Sequence, residues 1–158
     1  MRRIGKRFKK PRMSWESDDI KERHTIMKNY GLRRRREVLI AQEILRNYRR
    51  RARELIAEQD EAKVNILVDK LVKLGLLRKG QGLDDVLALN VNDILERRLQ
   101  TIVWKKVYAS TPLHSRQSIT HGHVTIDSKR VKSPAYMVPV EEESKIVVSG
   151  ASNEKGGK

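Results

Sequence analysis

Within the stretch SRQSITHGHVTIDSKRV, Ser115 to Val131, three kinds of chemistry compete. His121 and His123 have the spacing of a metal-ligand pair, and Ser115, His121 and Asp127 are the residue types of a hydrolytic triad. Arg116, Lys129 and Arg130, together with the two imidazoles, are the residue types that grip a polyanion. A zinc site needs at least a third protein ligand. The nearest histidine, His114, lies roughly 10 Å from His121 along a helix axis at ~1.5 Å rise per residue, too far to share one ion. The hydrolytic reading lacks the Gly-x-Ser-x-Gly turn that would expose Ser115 as a nucleophile. Polyanion binding uses more of the residues. Ser115, Arg116 and Gln117 fall in the first turns of a predicted helix, where amides and the positive dipole end favour phosphate. His121 and His123 can stack on or hydrogen-bond to a nucleotide, and Lys129 and Arg130 return to them on a hairpin. Arg116 and Arg130 are expected to be exposed.

The whole chain agrees with that choice. It has 158 residues, with 35 Lys and Arg against 20 Asp and Glu, a formal charge of +15. A surface so charged repels itself unless a polyanion screens it, and nucleic acid is the first candidate. The length allows one domain or two small ones with modest cores. Absence of cysteine removes thiolate zinc sites, cysteine nucleophiles and disulfides. No segment reaches the roughly 20 apolar residues of a membrane span, and the basic N-terminus lacks the apolar run of a signal peptide. A soluble, cytoplasmic protein without a cofactor is expected.

Four segments position these residues. Residues 1–27 read as a basic N-terminal arm, with seven Lys or Arg and no acid in the first twelve. Residues 28–93 read as a helical domain. Its long helix runs to about Gln59, with an apolar stripe at Ala41, Leu45, Tyr48, Ala52, Leu55 and Ile56. Arg46, Arg49, Arg50 and Arg53 recur at the same steps on a neighbouring face, a ridge able to track a phosphate backbone, with Glu43 and Glu54 the only nearby acids. A second helix carries Val64, Leu67, Val68, Leu71 and Leu74 and ends at Gly75. Asp84 and Asp85 read as helix-start residues rather than as a catalytic pair.

Residues 94–146 read as a second module. Asp93 and Glu96 are spaced as a capping box for one helix running to about Lys106, with Leu95, Leu99, Ile102 and Val103 facing inward. A shorter helix starts at Ser110 or Thr111 with Pro112 in its first turn and ends at Gly122. Beyond Gly122 the period changes to two, which predicts a small antiparallel sheet with a turn at Asp127-Ser128. Residues 147–158 read as a flexible tail. The fold class is α+β: a helical domain followed by two helices and a hairpin.

The strings LERRLQTIVWKK and SRQSITHGHVTIDSKRVKSPAYMV, from Ile94 to Val140, resemble the small RNA-binding domain first described in ribosomal small-subunit protein four. The shared pattern is a basic helix, a Ser-Arg-Gln helix, a His-Gly-His link and a hairpin ending in Lys-Arg-Val. NYGLRRRREVLIAQEILRNYRRRARELI and SPAYMVPVEEESKI extend the resemblance from about Lys28 to Ile146, to the archaeal and eukaryotic branch of that family. The resemblance implies a non-enzymatic constituent of the small ribosomal subunit that binds its rRNA, acts early in assembly and supports decoding accuracy. Its partners would be small-subunit rRNA, other small-subunit proteins including protein five, and mRNA at the entry side. The RNA surface it implies comprises Arg97, Arg98, Ser115, Arg116, Gln117, His121, Gly122, His123, Lys129 and Arg130. The run Arg33, Arg34, Arg35 and Arg36 and the ridge Arg46 to Arg53 add a second surface. Two departures stand out: Asp127-Ser128 where the family often has Asn-Gly or Asp-Gly, and Val107 where it often has glycine. The alternative is a free-standing RNA chaperone, or part of an RNA-modifying enzyme, that carries the same module.

Overall fold

A computed structural model describes residues 8, 9, 13 and 15–149, with Val107 and Tyr108 as backbone alone. Most of the basic arm and the tail from residue 150 lie outside the described residues. The order is α1 (Ser17–Asn29), α2 (Arg35–Glu58), α3 (Glu61–Lys73), α4 (Leu83–Ala88), α5 (Val91–Glu96), α6 (Leu99–Val103) and α7 (Pro112–His121). A π-helical turn, Trp104–Tyr108, continues α6. Strands β1 (Val124–Ile126) and β2 (Lys129–Arg130), the short α8 (Val140–Glu143) and β3 (Ile146–Val148) complete it. The α+β class is as expected.

Two apolar cores follow from the two periodicities. The helical core gathers Val38, Ala41, Leu45 and Ala52 of α2 with Leu67 and Leu71 of α3, then Val86, Ile94 and Leu95. Leu99, Ile102, Val103, Ile119, Val124, Ile126, Val138 and Ile146 form the other. Ile94 and Leu95, read as part of the second module, therefore belong to the first. Ile56, read into the α2 stripe, is 44% exposed, while its neighbour Leu55 packs against the core in the same turn.

Three further expectations change. The arm does not run to residue 27: Ser17–Asn29 is a helix whose Ile26 and Met27 pack on the first core. The helix read from Asp93 to Lys106 is broken at Arg97-Arg98. There the backbone is extended at Arg98 and bridges Met137, Leu99 N–H donates to Tyr136 O at 2.8 Å, and Val138 N–H donates to Arg97 O at 3.0 Å. The carbonyls of Pro134 and Tyr136 satisfy the Gln100 and Leu99 amides at the start of α6, so the ladder need not run through. The capping residue is accordingly Asn90, whose N–H donates to Asp93 at 2.7 Å, and not Asp93 with Glu96. Val147 and Val148, read as tail, form β3 with Ile146, which pairs antiparallel with β1 to give the order β2-β1-β3.

The helix ends are as the glycines suggest. After α7, Gly122 sits at φ 82°, and its N–H and that of His123 donate to Ile119 and Ser118 carbonyls, closing a Schellman motif. The β1–β2 turn has two residues, Asp127 at φ 49° and Ser128 at φ 67°, both left-handed without a glycine. Two positive φ values in a two-residue hairpin are the type I′ geometry. Ser128→Gly is expected to raise stability by about 0.5–1 kcal/mol, the relief of left-handed strain less the greater backbone freedom glycine loses on folding. Urea unfolding of the two proteins checks it; an unchanged or lowered midpoint would show that Ser128 is not strained.

Candidate nucleic-acid interface

The structure sorts the candidate arginines into two sets that composition does not separate. One set is turned inward. At the N-terminus of α2, the Glu37 carboxylate accepts four hydrogen bonds: from Arg34 N–H at 3.3 Å, Arg98 at 2.7 Å, and both terminal nitrogens of Arg116 at 3.0 Å each. Burial pushes the Glu37 carboxyl up, and the hydrogen bonds from Arg116 and Arg98 outweigh that to hold it below the ordinary glutamate value. Gln100, 1% exposed, completes the junction. Its amide nitrogen donates to Tyr30 O, Gly31 O and Pro112 O, and its oxygen accepts from Arg116 at 3.3 Å. Gly31 is required beside it. At φ 58° an added Cβ would stand 2.6 Å from the Pro112 Cβ.

Arg97 points the other way, into a second cluster. It donates to Glu143 at 2.9 Å and to Val138 O at 2.9 Å, while Lys106 reaches Glu143 O at 2.7 Å. Burial raises the Glu143 carboxyl, and Arg97 with Lys106 brings it below its usual value.

These contacts correct several sequence assignments. Arg98, with a side chain 6% exposed, and Arg97 are structural ion-pair partners rather than an RNA-facing basic helix. Arg116 is not exposed as expected: its guanidinium is committed to Glu37. Ser115 is fully buried, donating to the Gln100 and Pro112 carbonyls. Two first-turn amides of α7 are also occupied, His114 N–H by the Thr111 side chain and Ser115 N–H by Thr111 O. Gly122 is a buried turn residue. Arg49 leaves the ridge to donate to the Leu89 carbonyl.

The remaining candidates are exposed. On α2, Arg46, Arg50 and Arg53 share one face at spacings of four and three, and Arg33, Arg34, Arg35 and Arg36 precede or open the helix. Arg46 and Arg50 pair with Glu43 and Glu54 at 2.7 and 3.8 Å, the two acids noted in sequence. Such exposed pairs are worth about 0–1 kcal/mol, so phosphate can displace them. Lys9 of the arm donates its N–H to Glu43 at 3.3 Å, which lays that part of the arm beside the ridge. On the module, Gln117, His121, His123, Lys129 and Arg130 are exposed. The imidazole centroids stand 6.2 Å apart, and the Arg130 stem crosses Gly122, where a Cβ would meet it at 2.9 Å. Lys132 reaches the same glycine and was missed in sequence, although the Lys-Arg-Val-Lys run displays it. Glu37 and Gln100 were missed too; Glu37, the first acid after four arginines, was the available signal. Among the described residues no group of three histidines or carboxylates is placed to hold a metal ion, and no helix is long and apolar enough to cross a membrane.

The S4 domain family matches residues 97–144. The chain is 41% identical over 148 residues to small ribosomal subunit protein uS4 of Korarchaeum cryptofilum, covering 92% of this chain and 89% of the relative. It is 45% identical to the uS4 protein of Ignicoccus hospitalis, with the same coverage. For the uS4 protein of Saccharolobus solfataricus identity is 46% over 149 residues, covering 87% and 82% of the two chains.

Proposed function

The chain belongs to the uS4 family of small ribosomal subunit proteins, and from that premise we propose that it is a structural constituent of the small subunit that binds small-subunit rRNA through two separate surfaces. One surface is the α2 ridge of Arg46, Arg50 and Arg53 with Arg33 to Arg36; the other is Gln117, His121, His123, Lys129, Arg130 and Lys132 around the β1–β2 hairpin. The observation that carries the reading is the sorting of the candidate arginines: Arg97, Arg98 and Arg116 turn inward to carboxylates, and the exposed candidates lie on these two faces. Each face is a backbone-tracking surface, since phosphate contacts position a protein on RNA while bases and shape specify it. The buried junction fixes their relative orientation, so two RNA elements bound together are held at a set angle. The protein does this without catalysis, in the cytoplasm, early in subunit assembly and in support of decoding accuracy. Family membership supports other small-subunit proteins as neighbours, protein five among them, and mRNA at the entry side.

Sedimentation of the native protein through a sucrose gradient tests the reading. Stoichiometric presence in the small-subunit peak is expected, and a soluble or substoichiometric pool would favour a free RNA chaperone or enzyme component instead. Replacing Arg46, Arg50 and Arg53 together by Ala is expected to weaken rRNA binding about a hundredfold or more, at the ~1 kcal/mol or more that each lost charge-assisted contact represents. Thermal unfolding of that variant should stay near wild type, because all three side chains are exposed.

A further inference from the structure

A concave face lies outside both cationic surfaces. A groove of about 610 Å³ runs between α1 and the α5–α6 segment, with half-buried Ile26, Tyr30, Val91 and Trp104 lining it. Its exposed charges are Glu22, Glu96 and Lys105. Lys105 is paired with Glu96 at 3.0 Å, and Glu22 has no ion-pair partner among the described residues. In a chain of net charge +15 this lining is net negative. The Tyr30 phenol senses the same field: it is raised above its ordinary value, first by burial and then by Glu96 and Asp93.

We infer that this groove docks an extended lysine- or arginine-rich segment of a neighbouring small-subunit protein, an inference that rests on the functional reading above. RNA is disfavoured because no unpaired cation lines the groove to meet a phosphate. A cationic peptide meets complementary groups throughout. Glu22 accepts a basic side chain directly and Glu96 does so by exchanging its exposed pair with Lys105, while Trp104 offers an aromatic face to a guanidinium or ammonium. Asn29 and Asn92, exposed on the lining and without side-chain hydrogen bonds among the described residues, can donate to and accept from an extended backbone. A polyanion-bound protein gains from such a face, because a basic neighbour can reach it without competing for the same phosphates.

The test places a photo-crosslinking benzoylphenylalanine at Asn92 in the full chain, and the adducts in purified small subunits are sequenced by mass spectrometry. The expected adduct is a Lys- or Arg-rich segment of another small-subunit protein. Its yield should fall about tenfold or more when Glu22→Lys and Glu96→Lys are combined, since like-charge juxtaposition costs several kcal/mol. That variant should still enter the small-subunit peak and bind rRNA as wild type does. Crosslinks to rRNA, crosslinks to a segment without excess cations, a yield unmoved by charge reversal, or no crosslink would each overturn the inference while leaving the functional reading intact. Absence of the unsubstituted protein from the subunit peak would overturn both.

Discussion

Glu37→Ala is expected to lower the unfolding free energy at pH 7 by about 3–5 kcal/mol, the cost of removing one partner from a buried ion-pair network and leaving its cations unpaired. The Arg98 and Glu37 side chains are 6% and 14% exposed, so little solvent reaches them to compensate. Glu54→Ala supplies the contrast. Its pair with Arg50 is 57% and 65% exposed at 3.8 Å and should cost less than about 1 kcal/mol. Urea unfolding of the three proteins decides the matter. Equal midpoints for Glu37→Ala and wild type would show that the junction is not a stability element. The pH dependence follows in sign. The folded Glu37 carboxyl titrates below its ordinary value near 4.5, so its contribution is complete above that pH. It is lost as the pH falls from there through the depressed folded value. Glu143 adds a change of the same sign in the same acid window. Glu37→Gln should accordingly remove part of the acid-induced loss of stability seen in wild type between neutral pH and pH 3.

Affinity for small-subunit rRNA is expected to fall by roughly 10³- to 10⁵-fold between 50 and 200 mM salt, the counterion-release signature of about 6 to 10 neutralised phosphates. That number is consistent with the exposed set. Arg33, Arg36 and Arg53 near α2, and Lys129, Arg130 and Lys132 on the module, have no ion-pair partner among the described residues. Arg46 and Arg50 add two more once their weak surface pairs are displaced. The inward Arg98 should leave the slope untouched, because its side chain is 6% exposed and held by Glu37. Filter binding across a salt series with wild type and the Arg46, Arg50 and Arg53 triple alanine variant reads both points. A flat dependence in wild type would reject the two-surface interface, and an unchanged slope in the triple variant would remove the α2 ridge from it.

What sequence reasoning recovered, and what it missed, depends on whether the signal was local. The α2 stripe from Ala41 to Ala52, the Thr111 cap with Pro112, and the Gly122 terminator are set by neighbours within a turn or two, and each was readable. The break at Arg97-Arg98 was not, because it exists only when residues 134–138 arrive beside it. The functional roles of the arginines divide the same way. A run of basic residues announces the class of ligand, but whether Arg116 faces RNA or Glu37, 79 positions away, is decided by tertiary packing. Ser115 was misread for a related reason: a serine at a helix start suits either a phosphate or a buried carbonyl, and the Gln100 carbonyl takes it.

The β2-β1-β3 order also sets a timetable for a chain made from its N-terminus. The buried residues of the helical core have all been made once Leu95 is synthesised, with only Met137 still to pack against them, so that half can condense on its own schedule. Glu37 then waits for Arg98 and Arg116, and the second core waits longer still, because Ile146 fills it and Val148 closes the sheet beside Val124. On the proposed two-surface reading, the α2 ridge is available to RNA before the hairpin is, and a nascent chain acquires its two grips in succession, with the junction locking their angle only after the second has formed.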